Sequence, residues 1–193
     1  MAGRIYLAGP EVFLRDPMAQ AARKKALCEE FGYEGVFPMD TQLDFAGLDD
    51  RGKAMLIYRS DVALMNACDI CIANMTPFRG PSMDVGTAYE MGWMGAQGKP
   101  VLGYTNDAGD FTHRTGEHFG GRHKLVPRPN GTLEDPHEMM IEGFGLVENL
   151  MLDGGVISAG FEIVINPVTP AKRYDDLAGF RGCLEQLRAK GVR

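Results

Sequence analysis

The stretch RGPSMDVGTAYEMGWMGAQGKPV, residues 79–101, decides how the chain is organised. Gly80 belongs to a turn, since glycine tolerates the backbone angles that turns require. Asp84 stands where a helix N-cap is expected, and Gly98 with Pro100 marks the other end of that helix. The apolar residues after Pro100 open a buried strand. The stretch therefore predicts a turn, a helix and a strand in succession.

The body of this helix has two unusual features. Gly92 and Gly95 lie in its interior, where each glycine costs about 1 kcal/mol relative to alanine. We expect these glycines to allow another backbone to approach closely. Glu90 stands between Tyr89 and Met91, and a carboxylate in such a setting either has a partner or takes part in chemistry.

Outside this stretch, short apolar runs alternate with helical patterns along the chain. Strands that alternate with helices favour a parallel sheet, and a continuous apolar run is typical of a strand covered on both faces. The sequence predicts an α/β fold of the flavodoxin-like, doubly wound type, with five parallel strands and helices on both faces. Ligands of such sheets bind beyond the carboxyl ends of the strands. The predicted strands are 4–10 (with its turn), 33–37, 69–75, 100–104 and 161–165, and the predicted helices are 18–31, 52–67, 84–98, 135–152 and 174–190.

The whole chain of 193 residues suits a single domain with a substantial core. Residues 106–131 are polar and rich in glycine and histidine, so we expect a long loop there. Its histidines His113, His118 and His123 recur every five residues, which is not the spacing of metal ligands on a helix, and we expect no metal. Residues 153–193 are expected to form a C-terminal extension that holds the terminal helix.

The composition argues against several classes of function. Acidic residues outnumber basic ones by 26 to 20, and the net charge of −6 disfavours binding of a nucleic-acid polymer. No apolar run approaches the roughly 18 residues of a membrane span, and no signal peptide precedes the first strand. We therefore expect a cytoplasmic protein without a membrane partner. Its four cysteines are expected to be buried free thiols, although Cys68 and Cys71 lie three residues apart.

Several common active-site fingerprints are missing from the sequence. There is no G-x-G-x-x-G after the first strand, no Walker A motif and no G-x-S-x-G motif, so dinucleotide, P-loop and α/β-hydrolase functions lack support. Three carboxylates lie near the predicted strand ends, those of Asp61, Asp84 and Glu90. Paired carboxylates suit chemistry at an anomeric carbon, where one attacks and another protonates or steadies the leaving group.

Each of these carboxylates also has a simpler interpretation. Glu90 alone equally suits a charge on a helix surface, Asp84 alone suits a plain N-cap, and Asp61 alone suits a partly exposed helix acid. Six residues turn a helix by about 240°, so Asp84 and Glu90 share a cavity only if Asp84 lies before the first turn. The residues by themselves leave these alternatives open.

Five segments of the chain resemble those of the nucleoside 2-deoxyribosyltransferases. The segment at 84–92 is the most specific of them, and all five occur in the order that the family has. The similarity runs from residue 4 to about residue 152. The segments are IYLAGP (5–10), FPMDTQ (37–42), SDV (60–62), DVGTAYEMG (84–92) and GKPV (98–101).

The resemblance implies an enzyme that moves 2-deoxyribose from one nucleobase to another by double displacement. Glu90 matches the nucleophile that forms a glycosyl-enzyme ester. Asp61 and Asp84 match the acids that engage the base and the sugar and help protonate the departing base. Tyr6 matches a tyrosine that holds the nucleophile by a hydrogen bond. No metal or cofactor is implied, and the partners are small 2-deoxynucleosides and free nucleobases.

The resemblance also implies residues that bind the substrate. Gln42 matches a glutamine that contacts the base, and Gly9, in the first motif, is expected to contact the substrate. Asn149 resembles an asparagine that enters the neighbouring subunit's site and binds the deoxyribose hydroxyl, and Met151 is expected to line the same pocket. This arrangement implies a homo-oligomer in which each site needs two chains.

Two other functions stay open. The same superfamily contains 2-deoxynucleoside 5′-monophosphate N-glycosidases, which hydrolyse their substrate with the same glutamate, and Arg79 with Ser82 would then bind the phosphate. A nucleoside-binding module without catalysis is the third interpretation, because a fold alone does not specify a function. Neither the preference for purine or pyrimidine bases nor the size of the oligomer follows from the sequence.

Overall fold

Apolar runs of the chain form strands that are buried on both faces. The computed structural model describes residues 3–192, and three of its strands lie almost completely in the interior. The strands, in chain order, are β1 (Arg4–Ala8), β2 (Glu34–Val36), β3 (Ile70–Asn74), β4 (Val101–Thr105), β5 (Val126–Pro127), β6 (Leu133–Glu134), β7 (Met140–Ile141) and β8 (Val164–Ile165). The buried strands are β1, β3 and β4.

Most helices begin where the sequence supplies an aspartate as N-cap. Asp16, Asp49, Asp84 and Asp110 each accept a hydrogen bond from a backbone N–H of the first turn, which a helix otherwise leaves unpaired. The helices are α1 (Pro17–Glu30), α2 (Asp50–Ala67), α3 (Val85–Ala96), α4 (Phe111–His118), α5 (Leu150–Ser158) and α6 (Ala178–Ala189). Between residues 3 and 192, none of them is both long and apolar enough to cross a membrane.

Five of the strands form one parallel sheet in the order β2-β1-β3-β4-β8. Ile5 pairs with Ile70, and Ile72 pairs with Leu102, which sets the register of the central strands. α1 and α6 pack on one face of the sheet, and α2, α3 and α5 pack on the other. This is the flavodoxin-like order 2-1-3-4-5, so the predicted fold class is confirmed.

The core on both sides of this sheet also holds the four cysteines. Each of them is buried and carries a free thiol, as the sequence predicts. Burial raises the pKa of every one of these thiols, which keeps them neutral. They therefore behave as small apolar side chains of the core, and they are Cys28, Cys68, Cys71 and Cys183.

The prediction of a loop at residues 106–131 is wrong. The segment contains α4 and a short 3-10 helix, Arg122–Lys124. Asp110 caps α4 by accepting the N–H of His113 at 2.7 Å. Arg114 of α4 is 6% exposed and donates to three backbone carbonyls. Hydrogen bonds hold one side of this polar helix in the interior, and no apolar periodicity in the sequence indicates them.

The helix predicted at residues 135–152 is also wrong. Asp135 accepts hydrogen bonds from the backbone of His137 and Met139, which closes a turn instead of starting a helix. β5, β6 and β7 form a small antiparallel sheet around this turn. The helix of this region is α5, Leu150–Ser158, most of which lies beyond the predicted end at residue 152.

The close approach expected at the glycines of α3 does not occur within the described chain. A Cβ atom on Gly92 would meet no atom within 4 Å, and one on Gly95 would meet only Val101 Cγ2, at 3.7 Å. Both glycines are exposed, and the helix buries Met91 and Met94 instead. No packing contact within residues 3–192 therefore requires glycine at these two positions.

The C-terminal extension packs against the carboxyl ends of the sheet. Asn106, which follows β4, donates from Nδ2 to the carbonyls of Arg173 and Asp176. Tyr174 donates from its hydroxyl to the carbonyl of Pro77, after β3. Two of these residues, Tyr174 and Asp176, lie in the predicted helix 174–190, but α6 begins only at residue 178.

Candidate active site

A cavity of about 450 Å³ lies at the carboxyl ends of β1 and β2, the edge at which ligands of this fold bind. Much of its lining is apolar and comes from Val12, Phe13, Met39, Leu43, Phe45 and Ile57. Three carboxylates open onto the same space, those of Asp61, Asp84 and Glu90. Apolar walls with a few converging polar groups are typical of small-ligand sites.

Glu90 lies in the middle of α3 and lines the cavity beside the end of β1. The fully buried Tyr6 of β1 donates a hydrogen bond from its Oη to Glu90 Oε1 at 2.7 Å. Burial and the neighbouring carboxylate raise the pKa of Tyr6, so its hydroxyl stays protonated and remains a donor. Tyr6 thus fixes one oxygen of Glu90, and within residues 3–192 the other oxygen, Oε2, has no hydrogen-bond donor.

The surroundings of Glu90 favour its protonated form. The pKa of Glu90 is raised from 4.5 to about 8, chiefly because burial disfavours the charged carboxylate. The hydrogen bond from Tyr6 lowers this pKa, whereas the negative charges of Asp61, Asp84 and Glu11 raise it. A carboxylate with a strongly raised pKa in a cavity is a candidate for chemistry.

Asp84 is an N-cap that also lines the cavity. Its Oδ2 accepts hydrogen bonds from the backbone N–H of Thr87 at 2.9 Å and from Thr87 Oγ1 at 3.0 Å. The residue keeps extended backbone angles, so it lies before the first turn of α3. For this reason Asp84 and Glu90 can line one cavity although six residues separate them. The plain capping role and the place in the cavity therefore coexist in one side chain.

Asp61 reaches the cavity from α2. It is half-buried, and burial raises its pKa from 3.8 to about 6. A carboxyl with such a pKa is protonated in a larger fraction of molecules at neutral pH than an ordinary aspartate is. Asp61 therefore suits the donation of a proton to a leaving group in the cavity.

Two of the residues expected to bind substrate differ in their relation to the cavity. Gly9, directly after β1, lines it, and a Cβ atom there would lie 2.0 Å from Glu11 Oε2 and 3.0 Å from Asn74 Cβ. Glycine is therefore required at this position by close packing. Gln42 is exposed and does not line the cavity, although its neighbours Thr41 and Leu43 do.

The structure places Asn149 and Met151 outside the cavity of their own chain. Asn149 is the N-cap of α5, where its Oδ1 accepts the N–H of Met151 at 3.0 Å and its Nδ2 donates to Glu142 Oε1 at 2.9 Å. Met151 is 73% exposed. Neither side chain takes part in the set formed by Tyr6, Glu90 and the two aspartates.

A buried ion pair that was not predicted from the sequence lies next to the cavity. Glu11, in the 3-10 helix Pro10–Phe13 after β1, contacts Lys24 of α1, and both side chains are almost completely buried. One signal for Lys24 exists in the sequence, because it lies four residues from Gln20 and from Cys28, which are also buried. No signal for Glu11 exists, since its partners lie far along the chain.

The described chain offers no evident metal site. Within residues 3–192, no three side chains of histidine, cysteine, aspartate or glutamate are grouped so that they could hold a metal ion. His113 and His118 lie in α4, and His123 lies in the following 3-10 helix. The titratable side chains that line the cavity are those of Asp61, Asp84 and Glu90, and Tyr6 bonds to Glu90 from the interior.

Comparisons with known proteins identify the family of this chain. The family model described as nucleoside 2-deoxyribosyltransferase matches residues 5–151. An uncharacterized protein of Schizosaccharomyces pombe is 33% identical over 197 residues, with 96% of this chain and 89% of that protein covered.

Two solved structures extend the match to three dimensions. A 2-desoxiribosyltransferase from Leishmania mexicana aligns with a TM-score of 0.64 and 27% identity, with 95% of this chain and 97% of that chain covered. A conserved protein from Enterococcus faecalis V583 aligns with a TM-score of 0.55 and 18% identity over 98% of this chain and 99% of its own, which shows a shared fold alone. Because the family model matches most of this chain, the chain belongs to the nucleoside 2-deoxyribosyltransferase family.

Proposed function

We propose that this protein transfers 2-deoxyribose between nucleobases through a covalent intermediate on Glu90. The observation that carries the proposal is the pairing of Glu90 with Tyr6, in a cavity that Asp61 and Asp84 also line. Two-step displacement at an anomeric carbon needs a nucleophilic carboxylate and a second group that manages the proton of the leaving base. The cavity supplies both.

In the first step, the ionised form of Glu90, which is the minor form at neutral pH, attacks the anomeric carbon through Oε2 while Tyr6 holds Oε1. The bond between this carbon and the base nitrogen breaks, and its electron pair leaves with the base. Asp61, with its pKa raised to about 6, supplies the proton that the departing nitrogen takes up, and Asp84 engages the substrate beside it. The result is a deoxyribosyl ester of Glu90 and a free base.

In the second step, a nitrogen of another base attacks the same carbon from the opposite side. The ester bond breaks and its electrons return to Glu90, while the incoming nitrogen gives its proton to the carboxylate that the first step left ionised. Water can take the place of the second base, and the product is then free 2-deoxyribose. The ratio of transfer to hydrolysis depends on how well the cavity excludes water.

We further propose that the working form is a homo-oligomer in which Asn149 and Met151 complete the site of a neighbouring chain. Their position outside their own cavity supports this, as does the large exposed fraction of Met151. A contiguous site built from two chains would place an amide beside the deoxyribose hydroxyl, and none of the described side chains that line the cavity carries an amide.

Base exchange tests the main proposal. We would incubate the protein with a panel of 2-deoxynucleosides and free acceptor bases and separate the products by chromatography. New deoxynucleosides should form with wild-type protein, and Glu90→Ala should reduce their rate by at least about a thousandfold while the protein stays folded. Exchange by Glu90→Ala at a rate near that of the wild type would contradict the mechanism, and binding without exchange by the wild type would favour a nucleoside-binding module.

Hydrolysis of 2-deoxynucleoside 5′-monophosphates is the second candidate function, and one observation favours it. The guanidinium of Arg79 stacks on the rings of Phe78, at 4.5 Å, and Phe13, at 5.0 Å, and Phe13 lines the cavity. Arg79 has a φ of 55°, an unusual backbone angle for this residue type. Its charge is thus held near the cavity, where a phosphate would be a suitable partner.

The two functions differ in their products. Each nucleoside is compared with its 5′-monophosphate, with and without an acceptor base. Free deoxyribose phosphate as the sole product, together with a large loss of this activity in Arg79→Gln, would favour the glycosidase. New nucleosides from unphosphorylated donors, with little effect of Arg79→Gln, would favour the transferase.

A further inference from the structure

The buried ion pair of Glu11 and Lys24 lies against the residue that lines the cavity at the end of β1. Glu11 is 1% exposed and Lys24 is 0% exposed. Glu11 Oε1 contacts Lys24 Nζ and accepts hydrogen bonds from Asn74 Nδ2 at 2.9 Å and from Tyr104 Oη at 3.1 Å. These contacts fix the carboxylate against the ends of β3 and β4.

The second oxygen of Glu11 has a different environment. Within the part of the chain that the structure describes, Oε2 is buried and has no hydrogen-bond partner. It lies so close to Gly9 that a Cβ atom there would be 2.0 Å away, and the backbone of Gly9 itself lines the cavity. The unpaired oxygen is therefore separated from the cavity by little more than one glycine.

The ion pair consequently has a fixed orientation relative to the cavity. Its positive end, Lys24 Nζ, lies over the rings of Tyr104 at 5.5 Å and Phe180 at 5.4 Å. Its negative end, Glu11 Oε2, lies at Gly9 and faces the side of the cavity. The two charges are thus fixed as a dipole with its negative pole toward the site.

Stability alone does not account for this arrangement. A buried ion pair loses the hydration of both charges, and apolar residues of similar volume are often equally stable or more so in its place. A buried carboxylate oxygen without a donor adds to that loss. Unpaired buried groups of this kind call for an explanation, and strained or desolvated charges are concentrated at functional sites.

Displacement at an anomeric carbon creates positive charge on the sugar ring as the bond to the base breaks. Charges and dipoles that are already in place stabilise such a state strongly in a site shielded from water. We propose that Glu11 and Lys24 are positioning residues whose dipole holds negative charge at Gly9 and stabilises the cationic sugar of the transfer reaction. This inference rests on the proposed function of the cavity.

The same charge also acts on Glu90. Removal of the negative charge of Glu11 should lower the pKa of Glu90, because that charge raises it. Tyr104 of β4 bonds to Glu11 instead. The titratable groups that influence or face Glu90 are Tyr6 of β1, Glu11 of the following turn, Asp61 of α2, Cys71 of β3 and Asp84 at the start of α3.

The double variant Glu11→Gln with Lys24→Met tests the proposal, because it removes both charges, keeps the volume and leaves no lone charge in the core. We expect it to fold and to keep KM, while kcat for base exchange, corrected for the ionised fraction of Glu90 in each protein, falls by about tenfold. The carboxyl carbon of Glu90, followed by NMR, should titrate at a lower pH than in the wild type. The matched control, Arg128→Met with Glu134→Gln, removes an ion pair of the small antiparallel sheet and should change neither quantity.

A binding measurement separates electrostatics from a structural role. By calorimetry, a deoxyribose mimic with a protonated pyrrolidine nitrogen should bind the double variant about tenfold more weakly, whereas its neutral cyclopentane counterpart should bind unchanged. Equal losses for both ligands, or no change in kcat, Glu90 titration and cation affinity, would overturn the proposal.

Two further outcomes have a defined meaning. If the double variant fails to fold, the variant Glu11→Asp takes its place, because it keeps both charges but moves the carboxylate oxygen away from Gly9. It should show the same selective loss of affinity for the cationic ligand. Undiminished affinity would overturn the inference. Wild-type protein that exchanges no bases would contradict the proposed function itself, whereas an active wild type with an equally active double variant contradicts only the role of the ion pair.

Discussion

The first prediction concerns the hydrogen bond between Tyr6 and Glu90. Tyr6→Phe removes the contact that lowers the pKa of Glu90, so this pKa should rise above about 8. A hydrogen bond worth about 1.4 kcal/mol corresponds to one pKa unit, and we expect kcat/KM at neutral pH to fall by about tenfold. NMR titration of the carboxyl carbon of Glu90 and steady-state base exchange check the two effects.

A matched control is available for this substitution. Tyr33 donates from its hydroxyl to the carbonyl of Val192, and it does not line the cavity. Tyr33→Phe should therefore leave both the titration of Glu90 and the exchange rate unchanged. A titration of Glu90 that stays the same in Tyr6→Phe would show that the bond does not govern its protonation.

The raised pKa of Glu90 also makes a prediction about stability. The unfolded chain loses this proton near pH 4.5, whereas the native protein keeps it up to about pH 8. The native state thus binds more protons between these values, so its stability falls as pH rises from about 4.5 to 8. Glu90→Gln removes this loss and keeps an acceptor for Tyr6. Allowing for partial exposure, we expect it to stabilise the protein by about 1–3 kcal/mol at pH 8.5.

The comparison across pH makes that prediction specific. At pH 4 the side chain of Glu90 is largely neutral in the folded and the unfolded state, as the glutamine of the variant is at every pH. The two proteins should therefore unfold at nearly the same temperature. Thermal unfolding of wild type and Glu90→Gln at pH 4 and pH 8.5 provides the test. An equal gain at both pH values would point to a cause other than the ionisation of Glu90.

At the scale of elements, the start of α3 combines a cap with a cavity wall, and substitutions at Asp84 separate the two roles. Asp84→Ala should lose about 1 kcal/mol of stability and most of the exchange activity, because it removes both the cap and the carboxylate. Asp84→Ser restores a good N-cap without a carboxylate, so it should recover the stability but not the activity. Urea unfolding and base exchange measure the two roles separately.

The control for the cap lies in another helix. Asp110 caps α4 through the N–H of His113 at 2.7 Å and does not line the cavity. Asp110→Ala should therefore cost a similar stability while exchange proceeds normally. Full activity in Asp84→Ser would mean that Asp84 serves the fold alone.

At the scale of the whole molecule, the position of Asn149 predicts complementation between chains. Glu90→Ala lacks the nucleophile, and Asn149→Ala lacks the amide proposed for the neighbouring site. Each variant alone should be nearly inactive, but mixed oligomers contain some sites with both native residues. Co-expression of the two variants with different affinity tags, followed by purification on both, should recover about a quarter to a half of the wild-type exchange per site. No recovery in purified hybrids would place Asn149 in the site of its own chain.

Much of the fold could be predicted from the sequence because the spacing of apolar side chains indicates which positions are buried. The runs at 4–8, 70–74 and 101–105 are strands, and the aspartates at 16 and 84 begin helices. The same logic failed at 106–152, where α4 is buried through Arg114 and a turn around Asp135 replaces a helix. Polar side chains carry no periodic signal of burial, since their partners decide whether they are inside.

The candidate site, like the fold, could be predicted from the sequence only in part. Local patterns and family motifs in the sequence selected Tyr6, Asp61, Asp84 and Glu90, because each lies in a segment whose residue types are constrained together. Only the tertiary structure decided that the three carboxylates line one cavity, that Tyr6 bonds to Glu90 there, and that Asn149 lies outside the cavity. The clearest case is the dipole of Glu11 and Lys24, since Glu11 bonds to Tyr104, 93 residues away. The sequence thus determined most of the elements of the parallel sheet and the candidate residues, whereas contacts between distant polar groups, which only folding brings together, decided the electrostatics of the site.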